Sequence, residues 1–390
     1  MVTMKIKQKI CFIDPKFLKS IGGVETHGYE FVRYFSKDSR YKIEYIFSKA
    51  KVSDGINHDS KNKELEKKVI RKLTGDLKKD AALILKMTPD INIYFFNNPN
   101  WLPIAKDIRK VRPNAKIFVR SGGNDIPAGW VVDENDKSVS LLKNRKILVN
   151  TINKSVDSLI VNSDFSRERM IALGIKPSKI TKVIGGVDCS SFVPNKNPES
   201  KKIEIAFWGR LVEFKGINYS LKAINEVRKK HKDITFTIIG DGPEREKMMK
   251  MIPKLNMKSF VKYKGLVEFY EIPPLVKDAK IFLHLPIYLE KKVRGSKYIH
   301  TETMGRTYCE ATSLGMVSVI SNVGGGPEII REGENGFVVP EKDYKLAAQK
   351  ISELIENPQL LERMGRKGRK IARKEFDWKI LINKYKELFK

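Results

Sequence analysis

The chain has 390 residues, more than one hydrophobic core usually serves, so two domains are expected. Lys and Arg number 75 against 46 Asp and Glu, giving a net charge of +29, and 41% of the residues are hydrophobic. No apolar run approaches the roughly 20 residues that span a bilayer, and the basic residues follow no nucleic-acid recognition motif. The charge indicates an anionic ligand or membrane surface, or simply a solvated lysine-rich surface.

The first half of the chain alternates short apolar runs with helical patterns, which is typical of a parallel sheet with helices on both faces. After the first run, Gly22 and Gly23 precede an amphipathic helix, so backbone can approach a phosphate closely there. Between residues 61 and 86, lysines share a helical pattern with apolar residues, which predicts a helix on an anionic membrane or a core-packed helix with a wet face. The predicted strands are 10–14, 43–47, 91–96, 116–119, 158–161 and 180–184.

A second strand-and-helix series follows residues 194–202, whose polar, proline-bearing sequence PNKNPESKK is typical of an interdomain linker. The sequence GRLVEFKG then places Arg210 and Lys215 between a strand and a helix, where two cations and helix amides would neutralise a diphosphate. Ordinary surface charges would also explain this pair taken alone. Gly240 lies in a tight turn, GDGP, after the next strand. The predicted strands are 203–208, 234–239, 260–263, 281–285, 317–320 and 337–339.

The stretch ETMGRTYCEATSLGMVSVISNVGGG carries two glutamates, Glu302 and Glu310, with seven residues between them. Gly305 lets Glu302 lie in a loop while residues 306–314 form a helix that Gly315 ends. The two carboxylates can then reach two hydroxyl-bearing parts of one ligand, and the amides at the helix start face an anion. This stretch predicts a site for a phosphorylated, polyhydroxylated ligand.

Histidines and cysteines offer little chemistry of their own. His284 falls in a predicted buried strand and is expected in the core, whereas His27 and His300 can touch a substrate. No nucleophile and base pair is recognisable, and no residues have metal-ligand spacing. The scattered cysteines are expected to be reduced thiols of a cytosolic protein: Cys11, Cys189 and Cys309.

Together these segments resemble the retaining glycosyltransferases of family 4, the glycosyl transferases group 1. The resemblance covers nearly the whole chain, including the glycine loop at 22–25, residues 157–175 and 185–194, GRLVEFKG, GDGP and the two glutamates. It implies the α/β GT-B architecture, in which two Rossmann-like domains face each other across a deep cleft. Residues 1–192, with a returning helix at 376–390, would form the acceptor-side domain, and residues 193–375 the nucleotide-sugar-binding domain.

The resemblance also implies roles. Arg210 and Lys215 would hold the donor diphosphate, Glu310 the ribose and Glu302 the hydroxyls of the donor sugar, with Glu302, Arg210 and Lys215 as the catalytic residues. Gly23 would let the first domain's loop approach the same diphosphate. The full set of donor-binding residues would be Gly22, Gly23, Arg210, Lys215, Gly240, Glu302, Met304, Gly305, Arg306 and Glu310.

Two departures from the family pattern concern the acceptor and the donor sugar. Where the family often has a histidine, this chain has Arg120, Asn124 and Asp125, which would take over its contacts or bind the acceptor. Residues 287–301 are longer and more basic than the corresponding family segment.

The function implied is retaining transfer of N-acetylglucosamine or another hexose from a nucleotide diphosphate sugar, by first choice UDP-linked. The acceptor would be a hydroxyl of a glycan, a lipid-linked saccharide or a small aminocyclitol. No cofactor, metal or nucleic acid is expected. The location would be cytoplasmic, with peripheral contact to an anionic inner membrane face. The alternatives are a nucleotide-sugar epimerase on the same fold, or a catalytically silent basic scaffold.

Overall fold

A computed structural model describes residues 8–14, 23–48, 69–73, 76–129, 141–195, 203–293 and 296–390. The chain divides into two compact units. The first comprises Met1–Ile184, Lys292–Tyr298 and Ile382–Lys390, and the second comprises Gly185–Lys291 and Ile299–Leu381. The structure thus divides the chain after Ile184, whereas the sequence prediction divides it after residue 192.

The first unit contains a seven-stranded parallel sheet with the strand order β3-β2-β1-β4-β5-β6-β7. Its central strands β1, β4, β5 and β6 are mostly apolar, since helices bury both faces of a parallel sheet. The strands are β1 Gln8–Asp14, β2 Tyr41–Ser48, β3 Val69–Leu73, β4 Ile93–Phe96, β5 Lys116–Arg120, β6 Ser158–Val161 and β7 Ile180–Lys182. The helices before residue 184 are α1 Gly23–Ser36, α2 Leu77–Met87, α3 Ala105–Val111, α4 Leu141–Ser155 and α5 Asp164–Ala172.

The second unit contains a six-stranded parallel sheet with the strand order β10-β9-β8-β11-β14-β15. Its strands are β8 Ile203–Trp208, β9 Ile234–Ile239, β10 Val261–Tyr263, β11 Ala279–His284, β14 Val317–Ser321 and β15 Gly336–Val339. The remaining helices are α6 Ile217–Lys230, α7 Arg245–Lys254, α8 Ile272–Leu275, α9 Arg306–Ser313, α10 Tyr344–Glu356, α11 Pro358–Ile371 and α12 Trp378–Phe389. A separate two-stranded sheet, β12 Leu289–Val293 and β13 Ser296–His300, occupies the long basic segment at 287–301.

Every strand predicted from the sequence is present, but three strands were missed: β3, β12 and β13. The helical pattern predicted over residues 61–86 is wrong at Val69–Leu73, which is a strand that pairs in parallel with β2. Its two β-branched residues favour a strand, and the helix begins only at Leu77, capped by Asp76. Residues 61–68 lie outside the described part of the chain. Among the described helices, none has the length and hydrophobicity required to cross a membrane.

In both sheets the strand order reverses beside the first strand of the series, between β1 and β4 and between β8 and β11. Ligands of doubly wound sheets bind beyond the carboxyl ends of the strands at such a switch point. A ligand is therefore expected at the loops that follow β1, β4 and β5 in the first unit, or at those that follow β8 and β11 in the second.

Candidate active site

Glycines bring the loops at the carboxyl end of the second sheet into close contact. Gly209 and Gly240 have φ angles of +144° and +131°, and a Cβ on Gly240 would lie 1.9 Å from the Gly209 carbonyl oxygen. Gly216 has a φ of +68°, and its Cβ would lie 1.7 Å from the carbonyl oxygen of Leu285, which follows β11. These glycines hold the loop after β8 against the ends of the neighbouring strands.

Lys215 ends the short 3₁₀ turn Glu213–Lys215 and forms an ion pair with Glu302 through its Nζ and the carboxylate Oε2. The two side chains are 12% and 11% exposed. The ammonium also lies 5.7 Å from the centre of the Phe214 ring. Because both side chains are largely removed from water, their attraction is stronger than that of an exposed pair.

Glu302 lies in a loop and α9 begins at Arg306, as the sequence predicts. Gly305 makes this break possible, since its φ is +83° and a Cβ would lie 2.2 Å from Cε2 of Tyr308. Just before it, the Met304 sulfur accepts a hydrogen bond from the Gly185 amide at 3.0 Å. The first amides of an α-helix have no intrahelical acceptor, and they carry the positive end of its dipole. The start of α9 therefore adds positive potential to the loop that holds Glu302.

Glu310 is 1% exposed and lies in the second turn of α9. Its Oε2 accepts a hydrogen bond from the Trp208 indole at 2.7 Å, and its Oε1 lies 3.0 Å from Arg306 Nε in an ion pair. Within the described ranges, Oε1 has no partner with hydrogen-bond geometry. The Arg306 guanidinium carbon also lies 4.7 Å from the centre of the Phe269 ring. One carboxylate oxygen thus remains without a hydrogen bond.

His284 and Tyr308 are two buried, uncharged side chains near Lys215 and Glu302. Both are fully buried, and their ring centres lie 5.3 Å apart. Burial, followed by the charge of Lys215, lowers the pKa of His284 well below its usual value. Burial, followed by the charge of Glu302, raises the pKa of Tyr308. The expectation that His284 belongs to the core is confirmed.

Arg210 differs from the other charged residues at this sheet end because it is exposed. Within the described part of the chain, neither an ion pair nor a side-chain hydrogen bond holds it. Its guanidinium is therefore available to an anion without displacing a protein partner.

The first unit places Arg120, Asn124 and Asp125 at and after the end of β5. The Asp125 carboxylate accepts hydrogen bonds from Ser121 Oγ at 2.5 Å, from the Gly122 amide at 2.7 Å and from the backbone amide of the next residue, Ile126, at 2.8 Å. The Asn124 side-chain oxygen accepts one from an arginine of α5 at 3.0 Å, and Arg120 is 6% exposed. Asp125 thus shapes its own loop. Gly22 lies outside the described residues, and Gly23 begins α1 with open space where a Cβ would stand.

His27 belongs to a buried hydrogen-bonded chain at the switch point of the first sheet. Its Nδ1 lies 2.9 Å from Asn97 Oδ1 and its Nε2 lies 2.7 Å from the Tyr385 hydroxyl. Asn97 Nδ2 donates to Asp14 at 2.7 Å, so the Asn97 oxygen accepts the proton of His27 Nδ1. Both ring nitrogens thus contact protein, which disfavours the hypothesis that His27 touches a substrate. His300 packs on Phe214, with the two ring centres 4.6 Å apart.

Comparison with known proteins identifies the family. Residues 191–371 match the model of the family described as glycosyl transferases group 1. Over 98% of the chain, the fold matches 99% of Anabaena Alr3699/HepE, solved in complex with UDP, at 18% identity and a TM-score of 0.78. Residues 191–371 therefore belong to the group 1 glycosyltransferases. The predictions of the family and of the GT-B fold with its Rossmann-like domains are confirmed.

The other similar proteins are also distant in sequence. A GDP-mannose-dependent α-(1-6)-phosphatidylinositol monomannoside mannosyltransferase of Mycolicibacterium smegmatis is 24% identical over 74% of this chain and 74% of its own. An uncharacterized glycosyltransferase of Methanocaldococcus jannaschii, MJ1069, is also 24% identical, over 98% of both chains. Sucrose-phosphate synthase from Thermosynechococcus elongatus shares the fold with a TM-score of 0.76 at 15% identity, over 98% of each chain.

The structure of the glycosyltransferase brings most of the predicted donor-side residues to one end of the second sheet. They are Arg210, Lys215, Gly240, Glu302, Met304, Gly305, Arg306 and Glu310. Sequence reasoning missed Trp208, which holds Glu310, and Phe269, which holds Arg306. A signal for Trp208 was present, because an indole at the last position of a buried strand needs a nearby acceptor for its N–H. Phe269 belongs to no motif, so the sequence carries no signal for its contact with Arg306.

Proposed function

We propose that this glycosyltransferase takes a sugar from a nucleotide diphosphate sugar and transfers it, with retention of configuration, to a hydroxyl group. One observation carries the proposal: two cations, Arg210 and Lys215, and two carboxylates, Glu302 and Glu310, lie in the segments at the carboxyl end of the second sheet, where Lys215 pairs with Glu302 and Trp208 binds Glu310. The cations suit a diphosphate, and the carboxylates suit the hydroxyls of a ribose and of a sugar.

The donor is proposed to be UDP-linked by first choice, carrying N-acetylglucosamine or another hexose. Structures of Alr3699/HepE were solved with UDP and with UDP-glucose, while the mycobacterial relative is named for GDP-mannose. Glu310 would accept hydrogen bonds from the ribose, and its Oε1, which lacks a hydrogen bond, is the oxygen suited to this. Glu302 would bind the hydroxyls of the donor sugar.

The chemical problem is the negative charge that grows on the leaving diphosphate as its bond to the anomeric carbon breaks. Arg210, Lys215 and the amides at the start of α9 would oppose this charge with positive groups already in place. The acceptor oxygen would attack on the face that the diphosphate leaves, and a phosphate oxygen would take its proton. The proposal assigns no metal, and among the described residues no group of three His, Cys, Asp or Glu is placed to hold one.

The acceptor is proposed to be a glycan, a lipid-linked saccharide or a small aminocyclitol, bound on the side of Arg120, Asn124 and Asp125. Two other acidic residues that would suit a small cationic acceptor, Asp133 and Glu134, lie outside the described ranges. The net charge of +29 supports a peripheral position on an anionic, cytoplasmic membrane face.

The first test is a product analysis. The chain is incubated with UDP- and GDP-linked hexoses and candidate acceptors, with and without EDTA, and the products are examined by mass spectrometry and proton NMR. We expect an α-linked product from an α-linked donor in both conditions. Inversion of the anomeric centre would contradict the retaining mechanism, and loss of activity in EDTA would contradict metal independence. Free epimerised nucleotide sugar would favour the epimerase, and donor binding without turnover would favour the scaffold.

A further inference from the structure

We infer that the Lys215–Glu302 ion pair is a lock that distinguishes the intact donor from the nucleoside diphosphate product. The inference rests on the proposed function. The lock is closed in the absence of a sugar, opens when a whole nucleotide sugar binds, and closes again after transfer. Glu302 is therefore a specificity-determining residue as well as a ligand of the sugar.

The charges at the site show why a diphosphate must open this pair. Of the three cations on the donor side, Lys215 is paired with Glu302 and Arg306 with Glu310. Within the described part of the chain, Arg210 alone of the three is exposed without a carboxylate partner. A diphosphate that arrives at this sheet end can use Arg210 at once, but it can contact the lysine fully only by replacing the carboxylate.

The surroundings of Glu302 decide what that replacement costs. The Glu302 side chain is 11% exposed. The buried side chains near this ion pair, His284 and Tyr308, are both neutral. A buried charge that loses its partner is strongly destabilising. A nucleoside diphosphate alone would leave Glu302 unpaired and beside an anion, whereas a donor with its sugar supplies hydroxyl groups that donate to the freed carboxylate.

The difference between a donor with its sugar and a nucleoside diphosphate without one also assists product release. When the sugar has moved to the acceptor and left, Glu302 loses its hydroxyl partners. It then competes with the diphosphate for Lys215, and re-formation of the ion pair weakens product binding. The lock thus favours the intact donor over the product at the same site.

The decisive measurement is the affinity for UDP and GDP, by calorimetry, in the wild type and in Glu302→Gln. The substitution keeps the side chain's size and removes the charge that holds Lys215. We expect the tighter of the two nucleotides to bind about tenfold more tightly in the variant, because the cation is released for the diphosphate. Transfer should fall and product inhibition should increase. Glu310→Gln is the matched control, and it should weaken nucleotide binding instead.

A carboxylate near a diphosphate would repel it even without a lock, so a second background is needed. In Lys215→Met the cation is absent, and Glu302→Gln should then change the affinity less than about twofold, since the two residues act as a coupled pair. Equal tightening in both backgrounds would mean simple repulsion and would overturn the lock. Glu302→Ala, tested in the same two backgrounds, guards against an effect of the glutamine amide itself.

Failure of the lock and failure of the proposed function give different results. If the wild type binds UDP or GDP but neither Glu302 variant binds it more tightly, the lock is overturned and the donor site stands. If the wild type, folded by circular dichroism, binds neither nucleotide nor any of their hexose conjugates, the proposed function is wrong and the lock with it.

Discussion

The two sheets have the same strand order around their switch points, yet the chemistry at these points differs. At the end of β1 and β4, Asp14, Asn97 and His27 form a buried hydrogen-bonded chain that includes Tyr385 of α12. At the end of β8 and β11, Lys215 and Glu302 form an ion pair whose members can exchange partners with a charged ligand. The shared topology gives each sheet one position where a ligand can bind, and the side chains at that position determine whether it binds an anion.

This difference predicts opposite consequences of mutation. A side chain lost from the first switch point removes internal hydrogen bonds, so its cost should appear in the free energy of unfolding. A side chain lost from the second removes charge that faces the donor, so its cost should appear in turnover or in nucleotide affinity.

The largest effect is expected from Lys215→Ala, which should lower turnover by about 10²- to 10³-fold, as loss of one preorganised donor commonly does. The help of this cation grows as the bond to the phosphate breaks, so turnover should fall more than donor affinity. Lys215→Arg should recover only part of the activity, because it restores charge but not shape. Added magnesium should rescue neither variant. Steady-state kinetics at saturating donor measure these effects.

Arg210→Ala should act in the same direction, and the exposed Lys250→Ala on α7 is the matched control that should leave turnover unchanged. If both Lys215→Ala and Arg210→Ala keep a turnover within a few-fold of the wild type, the diphosphate assignment is refuted. The two residues would then be solvated charges at the start of a helix.

Glu310→Ala should weaken binding of the free nucleoside diphosphate by about 10- to 100-fold, since hydrogen bonds to a charged group contribute about 1.5 to 3 kcal/mol. Calorimetry measures the affinity, and circular dichroism checks that the fold survives. Trp208→Phe removes the indole donor together with part of a buried ring, leaves the carboxylate in place, and should have a smaller effect on affinity. An unchanged affinity in Glu310→Ala would rule out the ribose assignment.

At the first switch point, His27→Phe should lower the free energy of unfolding by about 1 to 3 kcal/mol, because Asn97 and Tyr385 lose a buried partner. Turnover of the folded variant should change little. Urea denaturation followed by tryptophan fluorescence gives the stability, with Tyr385→Phe as a milder companion that removes one hydrogen bond. A large loss of turnover at unchanged stability would instead support the hypothesis that His27 contacts a substrate.

The smallest effect on donor chemistry is expected from trimming β12 and β13 between residues 290 and 299. The trim retains the hydrogen bond from Thr301 Oγ1 to the Ile287 carbonyl at 3.2 Å and that from the Ile287 amide to Phe214 at 2.9 Å. Acceptor use or binding to anionic liposomes should change, while donor hydrolysis persists. If transfer and liposome binding both stay as in the wild type, the segment is an inert surface loop.

The sequence predicted what depends on local pattern. Continuous apolar runs marked the parallel strands, and Gly305 separated the loop of Glu302 from the helix of Glu310 because only a glycine suits that turn. The strand Val69–Leu73 was missed because its pairing with β2 comes from distant residues and outweighs a local helical period. Side-chain contacts between residues far apart in the chain could not be predicted either. Neither the ion pair of Lys215 with Glu302 nor the hydrogen bond of Trp208 to Glu310 follows from spacing, since the partners lie far apart in the chain.

A crystal structure with a bound UDP-linked hexose would show whether the second switch point holds the donor diphosphate. We expect diphosphate oxygens within hydrogen-bond distance of Lys215 and Arg210, the ribose against Glu310, and Glu302 on the sugar hydroxyls. A nucleotide sugar bound with its diphosphate away from Lys215 and Arg210, while the Lys215–Glu302 ion pair remains intact, would contradict this expectation.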